Sequence, residues 1–258
     1  MRSQAVRKLG GVVERSTIFG SQAAVYDAVR PNYPAAVIDR VVDGAPLLVV
    51  EVGCGTGIAS AQVAARGVRV IAVEPDSRMA ELARARGIEV TISSLEDWTP
   101  QPCDVMFAAQ SWHWVDPIRG AEIAAASIRP DGRWMAFWNH ESDPMIDDVL
   151  HSVFQRLAPS LLDEQPIRYV RTDEFRRTIA DGLGATKRFE PMETERVDWV
   201  DRVETRRFVD RLGSHSANRL LDETDRRRVR DALIEALGEQ DELEVRYSTE
   251  LFTAATRR

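Results

Sequence analysis

Cysteine is scarce. Cys54 and Cys103 are the two in 258 residues, too few for a disulfide framework, and a reducing cytoplasm is the expected compartment. Cys/His spacing of the metal-binding kind is missing, so no metal is expected. Basic charge is in deficit: 34 Lys and Arg against 41 Asp and Glu leave a net charge of −7, which argues against a nucleic-acid partner. Long apolar runs are missing as well. The most apolar window, around 45–65, is broken by Pro46, Glu51 and several glycines, so no membrane partner is expected. The opening MRSQAVRKLGG is basic with no apolar stretch behind it and does not read as a secretory signal. Internal repeats and low-complexity tracts are absent. What remains is an ordinary globular composition, 44% hydrophobic and 29% charged, long enough for one large α/β domain with additions or two smaller ones.

The chain is organised around Leu47 to Gly57, LLVVEVGCGTG. The run Leu47–Val50 leads into Glu51, then Gly53, Gly55 and Gly57 alternate around Cys54, and Ile58, Ala61, Val63, Ala64 and Ala65 follow at helical spacing. This pattern predicts a buried strand, a tight glycine loop and a helix. Glycine permits positive φ and close backbone approach, so the loop can wrap a ligand and offer it backbone N–H groups. The dinucleotide fingerprint G-x-G-x-x-G does not fit: its third glycine would fall on Ile58 or on Ser60. The phosphate loop fails too, because no Lys follows. A second apolar run, Val70–Val73, ends in Glu74-Pro75-Asp76, with Glu74 lying 23 positions after Glu51. A carboxylate at a second strand's tip can accept hydrogen bonds from ribose hydroxyls.

Glu51-x-Gly53-x-Gly55-x-Gly57 resembles the first motif of the class I S-adenosylmethionine-dependent methyltransferases. The resemblance implies a doubly wound, mostly parallel seven-stranded α/β sheet, S-adenosylmethionine as cofactor, and Glu51, Gly53, Cys54, Gly55, Gly57, Glu74 and Pro75 around it. Phe19…Tyr26…Arg30-Pro31…Tyr33-Pro34 is similar to the N-terminal segment of the type 11, trans-aconitate-methyltransferase-like small-molecule subfamily. There the segment folds over the cofactor as a lid, which implicates Tyr26, Arg30 and Tyr33. Ser93 to Trp98 follows the third predicted strand (Ile88, Val90, Ile92), where the family holds the adenine. The position that is often acidic is Ser94 here, which leaves Ser94, Leu95 and Glu96 as alternatives. Cys103–Ala109 reads as the fourth strand, and Gln110-Ser-Trp112-His113-Trp114 beyond it resembles the same subfamily. Ligands of open α/β sheets sit past the strands' carboxyl ends, so this stretch should face the methyl group and acceptor.

Further elements follow in order. Ser77 is expected to cap a helix that Gly87 ends, with Asp76 as the alternative cap. A helix over 118–128, a turn at Pro130-Asp-Gly132 and a fifth strand over 133–138 come next. Trp112, Trp114 and Trp138 either pack the core or wall an acceptor pocket. The divisions expected are a flexible N-terminus (1–18), a cofactor-binding core with its lid (19–142), a helical cap (143–186) and a C-terminal part of the sheet with further helices (187–258). In that last part a sixth strand is expected over 188–199, helices over 202–212 and 225–237, and a final strand over 243–254.

The activity these residues imply is in-line methyl transfer to a small-molecule acceptor by a monomer or homodimer. A non-catalytic cofactor-binding protein would carry the same motifs, since fold alone does not fix function. His113 is the first candidate for a general base, with His140 and His215 behind it, and Ser214 and Ser216 flank His215. A carboxylate acceptor would need no base, and Arg30, Arg168 or Arg171 would hold it instead.

Overall fold

The computed structural model describes residues 27, 30–159, 162, 172–213, 221–238 and 242–257. Tyr26, Arg168, Arg171, Ser214, His215 and Ser216 lie outside the described residues. In chain order the elements are α1 (Ala35–Val42), β1 (Leu48–Val52), α2 (Ile58–Ala64), β2 (Arg69–Glu74), α3 (Ser77–Ala85), β3 (Glu89–Ile92) and β4 (Cys103–Ala109). Then follow α4 (Pro117–Ser127), β5 (Ile128–Glu141), α5 (Pro144–Leu157), α6 (Asp173–Ala185), β6 (Glu193–Val203), α7 (Thr205–Gly213), α8 (Glu223–Leu237) and β7 (Leu243–Ala255).

The seven strands form one sheet in the order β3-β2-β1-β4-β5-β7-β6. β1 to β5 run parallel, and β7 is antiparallel to both β5 and β6. This is the class I α/β fold. β1 is buried from Val49 to Val52 because helices cover both faces, the setting that favours continuous apolar strands over alternating ones. On one face Val37, Ile38 and Val41 of α1 and Ala59 and Val63 of α2 pack against Val49, Phe107 and Phe137. On the other, Ala121 and Ala124 of α4 and Phe175, Ile179 and Leu183 of α6 pack against Met106, Trp134 and Trp138. The order reverses between β1 and β4, where open α/β sheets place ligands beyond the strands' carboxyl ends.

Local signals explain most helix starts. Asp76, Asp116, Asp143, Thr172 and Asp222 each accept a first-turn backbone N–H. Each such cap is worth about 1 kcal/mol. Asp76 therefore caps α3, not Ser77, because Ser77 is already the first helical residue. Pro130-Asp131-Gly132 is not a turn before the fifth strand: β5 starts at Ile128 and kinks there, with Asp131 at φ +64° and a register shift against β4 between Cys103 and Val105. A Cβ at Gly132 would come 2.4 Å from the Asp104 carbonyl oxygen. β6 starts at Glu193, not 188, and extends to Val203 because Val203 still pairs with Leu243 of β7, so the helix expected from 202 begins at Thr205.

The run 143–186 divides in two. α6 lies against α4 in the layer on the sheet, where Gly182 lets the helices approach: its Cβ would sit 2.4 Å from the Pro117 carbonyl oxygen. α5 instead joins α7 and α8 in a separate apolar cluster over the ends of β6 and β7, built on Ile146, Phe154, Phe208, Leu233 and Tyr247.

Candidate functional site

The three glycines after β1 all take left-handed backbone, at φ +64° for Gly53, +55° for Gly55 and +82° for Gly57. This conformation costs an L side chain roughly 1–2 kcal/mol, which is why the sequence carries glycine at each. Space confirms it at two of them. A Cβ at Gly53 would meet the Ser111 Cβ at 2.7 Å, and one at Gly57 would meet the Ala83 Cβ at 2.9 Å. Gly55 differs: nothing lies within 4 Å of its Cβ position, so the loop leaves open space there. That cradle fits a ligand pressed against backbone. Thr56, 1% exposed, adds a buried hydroxyl with no hydrogen-bond partner among the described residues.

Two carboxylates stand beside the loop. Glu51 is buried at the end of β1 and accepts from the Ser60 hydroxyl on α2. Burial pushes its pKa up to about 8, against the opposing hydrogen bonds of Ser60. Glu74 at the end of β2 accepts from the Gly55 N–H at 2.8 Å through one oxygen and from the Asp76 N–H at 2.9 Å through the other. Burial raises its pKa to about 7. Each carboxylate oxygen carries two lone pairs, so Glu74 keeps capacity for further donors. Cys54 is buried within the loop, and burial pushes its thiol well above the ordinary range. Pro75 follows Glu74 and is half-buried.

The loop after β3 lies in the same region. Ser93 bonds back to the Glu74 carbonyl at 3.2 Å. Ser94 closes its own turn, donating to the Asp97 carboxylate at 2.8 Å, and Leu95 is 3% exposed in the core. Glu96 accepts from the Asp116 N–H at 2.9 Å and so ties this loop to the one after β4.

Beyond β4, Gln110 takes left-handed backbone at φ +59°, uncommon for a residue with a side chain. Its N–H bonds the Phe137 carbonyl at 2.8 Å and its side-chain amide approaches the Tyr33 hydroxyl at 3.4 Å. Tyr33 stands edge-on to Phe137, with ring centroids 5.0 Å apart. Arg30 lies close enough to Glu141 to influence it electrostatically. Tyr33, Gln110 and Arg30 thus share one side of the sheet end.

The tryptophans and histidines are sorted by the structure. Trp112 and Trp138 are each 2% exposed and belong to the core under α4 and α6, while Trp114 is half-buried. His113 accepts the Trp138 indole N–H at its Nδ1, 3.2 Å away. An indole nitrogen only donates, so Nδ1 is unprotonated and neutral His113 carries its proton on Nε2. Burial lowers its pKa to about 4. His140 is buried on the same face of β5 as Trp138.

Sequence reasoning missed a partly buried charged cluster at the ends of β5, β6 and β7. Tyr247 donates to Glu141 at 3.2 Å, Arg211 donates to the Tyr247 hydroxyl at 2.8 Å, and Arg211 pairs with Asp201 at 2.8 Å. A lone acid closing an apolar strand at Glu141, and an arginine between Val209 and Leu212 on an amphipathic helix, were the available signals. Among the described residues no group of three or more His, Cys, Asp or Glu could hold a metal, and no helix is long and apolar enough to cross a membrane.

Comparison with known proteins agrees with this geometry. Residues 49–132 match the model of a methyltransferase domain family. An uncharacterised methyltransferase of Mycobacterium tuberculosis is 28% identical over 208 residues, covering 79% of this chain and 78% of the relative. The trans-aconitate 2-methyltransferase of Mycobacterium ulcerans is 33% identical over 110 residues, 42% of this chain and 41% of the relative. A methyltransferase structure from Anaeromyxobacter dehalogenans superposes with a TM-score of 0.61 at 25% identity, covering 88% of this chain and 97% of that one. Sheet order, glycine loop and these likenesses together make the chain a class I methyltransferase. It is an enzyme of the S-adenosylmethionine-dependent type.

Proposed function

We propose that the chain methylates a small-molecule acceptor by in-line displacement. The observation that carries this is the meeting of Glu51, Glu74 and three left-handed glycines at the carboxyl edge of β1 and β2, with open space at Gly55. When bound, the cofactor supplies an electrophilic methyl group on a sulfonium.

The chain's own residues bind and align. In this reading Gly53, Cys54, Gly55 and Gly57 hold the amino-acid portion with Glu51, and Glu74 with Pro75 takes the ribose hydroxyls. The adenine falls to the 94–96 turn through its backbone, because Leu95 serves the core and Glu96 the tether to Asp116. Arg30, Tyr33 and Gln110 close the pocket and exclude water. Alignment of the reacting atoms in a dry site is the main lever, worth about 7–11 kcal/mol at best.

His113 acts as a donor in this reading and not as the base. Its Nδ1 is engaged by Trp138, its Nε2 carries the proton, and a group with a pKa about 4 holds no proton from an acceptor at neutral pH. The relatives named for trans-aconitate methylation support a small acceptor. Two free, buried cysteines fit the reducing cytoplasm expected from the sequence.

Titration calorimetry with S-adenosylmethionine, S-adenosylhomocysteine and NAD tests the site. Binding of both sulfur ligands and not NAD is the expected result. A folded sample that binds neither, or that prefers NAD, removes the assignment of the glycine loop.

A further inference from the structure

The last residues of β5 outrun their neighbour. β4 ends at Ala109, opposite Phe137, so Asn139 and Glu141 have no partner in β4 and lie past the sheet's carboxyl edge. Being odd-numbered, they share a face of β5 with Phe137, which packs against Tyr33, while Trp138 and His140 face the other way.

The orientation of Asn139 is fixed by a relay through three strands. The Trp199 indole N–H donates to the Thr249 hydroxyl oxygen at 2.9 Å. The one proton of Thr249 therefore goes to Asn139, 2.7 Å away, and the atom that receives it must be Oδ1. Nδ2, on the other branch of the amide, is buried with no partner among the described residues. A buried donor left without an acceptor is unfavourable, and the relay holds it in that state. Such a donor calls for an oxygen or nitrogen lone pair supplied by a ligand.

Glu141 lies two residues on, roughly 7 Å along the same face. Tyr247 of β7 donates to it, Arg211 of α7 acts on it both directly and through Tyr247, and Arg30 and Asp147 of α5 add their fields.

Resting on the methyl-transfer reading above, we propose that Asn139 and Glu141 receive the acceptor, and that the acceptor is a neutral alcohol or phenol. Its hydroxyl oxygen accepts from Asn139 Nδ2 and its hydroxyl proton faces Glu141. An ammonium acceptor has no lone pair for Nδ2. A carboxylate acceptor has no proton to present to Glu141. In the reaction the hydroxyl oxygen bonds the methyl carbon, the carbon–sulfur bond breaks with its pair going to sulfur, and the hydroxyl proton passes to Glu141 and then to solvent. Burial sets the pKa of Glu141 at about 7, suited to taking that proton near neutrality.

The test uses the full chain loaded with S-adenosylhomocysteine, labelled with ¹⁵N, with the Asn139 side-chain amide signal identified by its loss in Asn139→Asp. Asn139→Asp is isosteric and can keep the bond from Thr249. Phenol and benzyl alcohol should shift the signal, while benzoate and benzylamine should not. Glu141→Ala should weaken phenol binding about fivefold, the size of one hydrogen bond. A signal unmoved by both hydroxyl compounds, or moved by benzoate or benzylamine, overturns the acceptor class. Unchanged phenol affinity in Glu141→Ala removes Glu141 from the site. Calorimetry with S-adenosylhomocysteine on each sample separates these failures from loss of the fold or of the cofactor site.

Discussion

Gly55 donates its backbone N–H to the Glu74 carboxylate at 2.8 Å, so the loop after β1 is fastened to the end of β2 by a residue that also borders the proposed ligand space. One carboxylate thus shapes the cradle and contributes a wall of it. Glu74→Ala should remove both effects. The expected loss of S-adenosylmethionine affinity is about 1–3 kcal/mol, the range for hydrogen bonds to a charged group. Calorimetry reads it directly, and an unaltered Kd would take Glu74 out of the cofactor site.

Gly55 and Gly57 should fail in different ways. Both are left-handed, so alanine strains either by roughly 1–2 kcal/mol. At Gly57 the new methyl also strikes Ala83, with Cβ atoms 2.9 Å apart, and α2 must shift from α3. At Gly55 it meets nothing of the protein. Gly57→Ala should therefore lower Tm the more, whereas Gly55→Val should keep the fold by circular dichroism and abolish cofactor binding. Equal Tm losses with cofactor affinity retained in Gly55→Val would contradict the reading of open space as ligand space.

Buried acids give the free enzyme a characteristic pH dependence. Glu51 has its pKa raised to about 8 in the fold, above its ordinary 4.5. Between those values the native chain holds a proton that the unfolded chain has released. Linkage then makes stability fall as pH rises, the contribution being complete below the unfolded pKa and lost on passing the folded one. Glu74 and Glu141, both raised to about 7, act in the same direction. Tm of the ligand-free protein should decline from about pH 5 to about pH 9, and Glu51→Gln should flatten that decline. A slope identical in the variant would show that Glu51 ionises in the fold as it does in water.

The proposed cofactor site was legible because its residues are local in sequence. Glycines at alternate positions, an acid before them and an acid ending the next strand are written within residues 47–76, and strand–loop–helix periodicity surrounds them. The proposed acceptor site is assembled from distant pieces. Asn139, Thr249 and Trp199 form one relay, and Glu141, Tyr247, Arg211 and Asp201 form one cluster, only because β7 runs antiparallel between β5 and β6. Nothing in sequence spacing reports such pairing. The sequence left the tryptophans open between core packing and a pocket wall for a related reason. Trp112 and Trp138 lie near strand ends in the text, but the face of the strand and the cover of α6 decide burial, and both are core residues.

His113 shows how one hydrogen bond changes a chemical role. Trp138 can only donate, so its bond to Nδ1 fixes the neutral tautomer with the proton on Nε2. Protonating His113 would also place two donors face to face across 3.2 Å, and desolvation by itself already lowers its pKa to about 4. The ring's ¹⁵N shifts should therefore report an Nε2-protonated neutral imidazole that does not titrate between about pH 5.5 and 8, where a solvated histidine changes charge. In Trp138→Phe the donor to Nδ1 is gone, and the two tautomers should mix. A titration midpoint between about pH 6 and 7 in the wild type would restore His113 as a base. A fixed neutral ring leaves proton acceptance to a carboxylate, and then the pH profile of turnover should follow Glu141 and be unmoved by replacing Trp138.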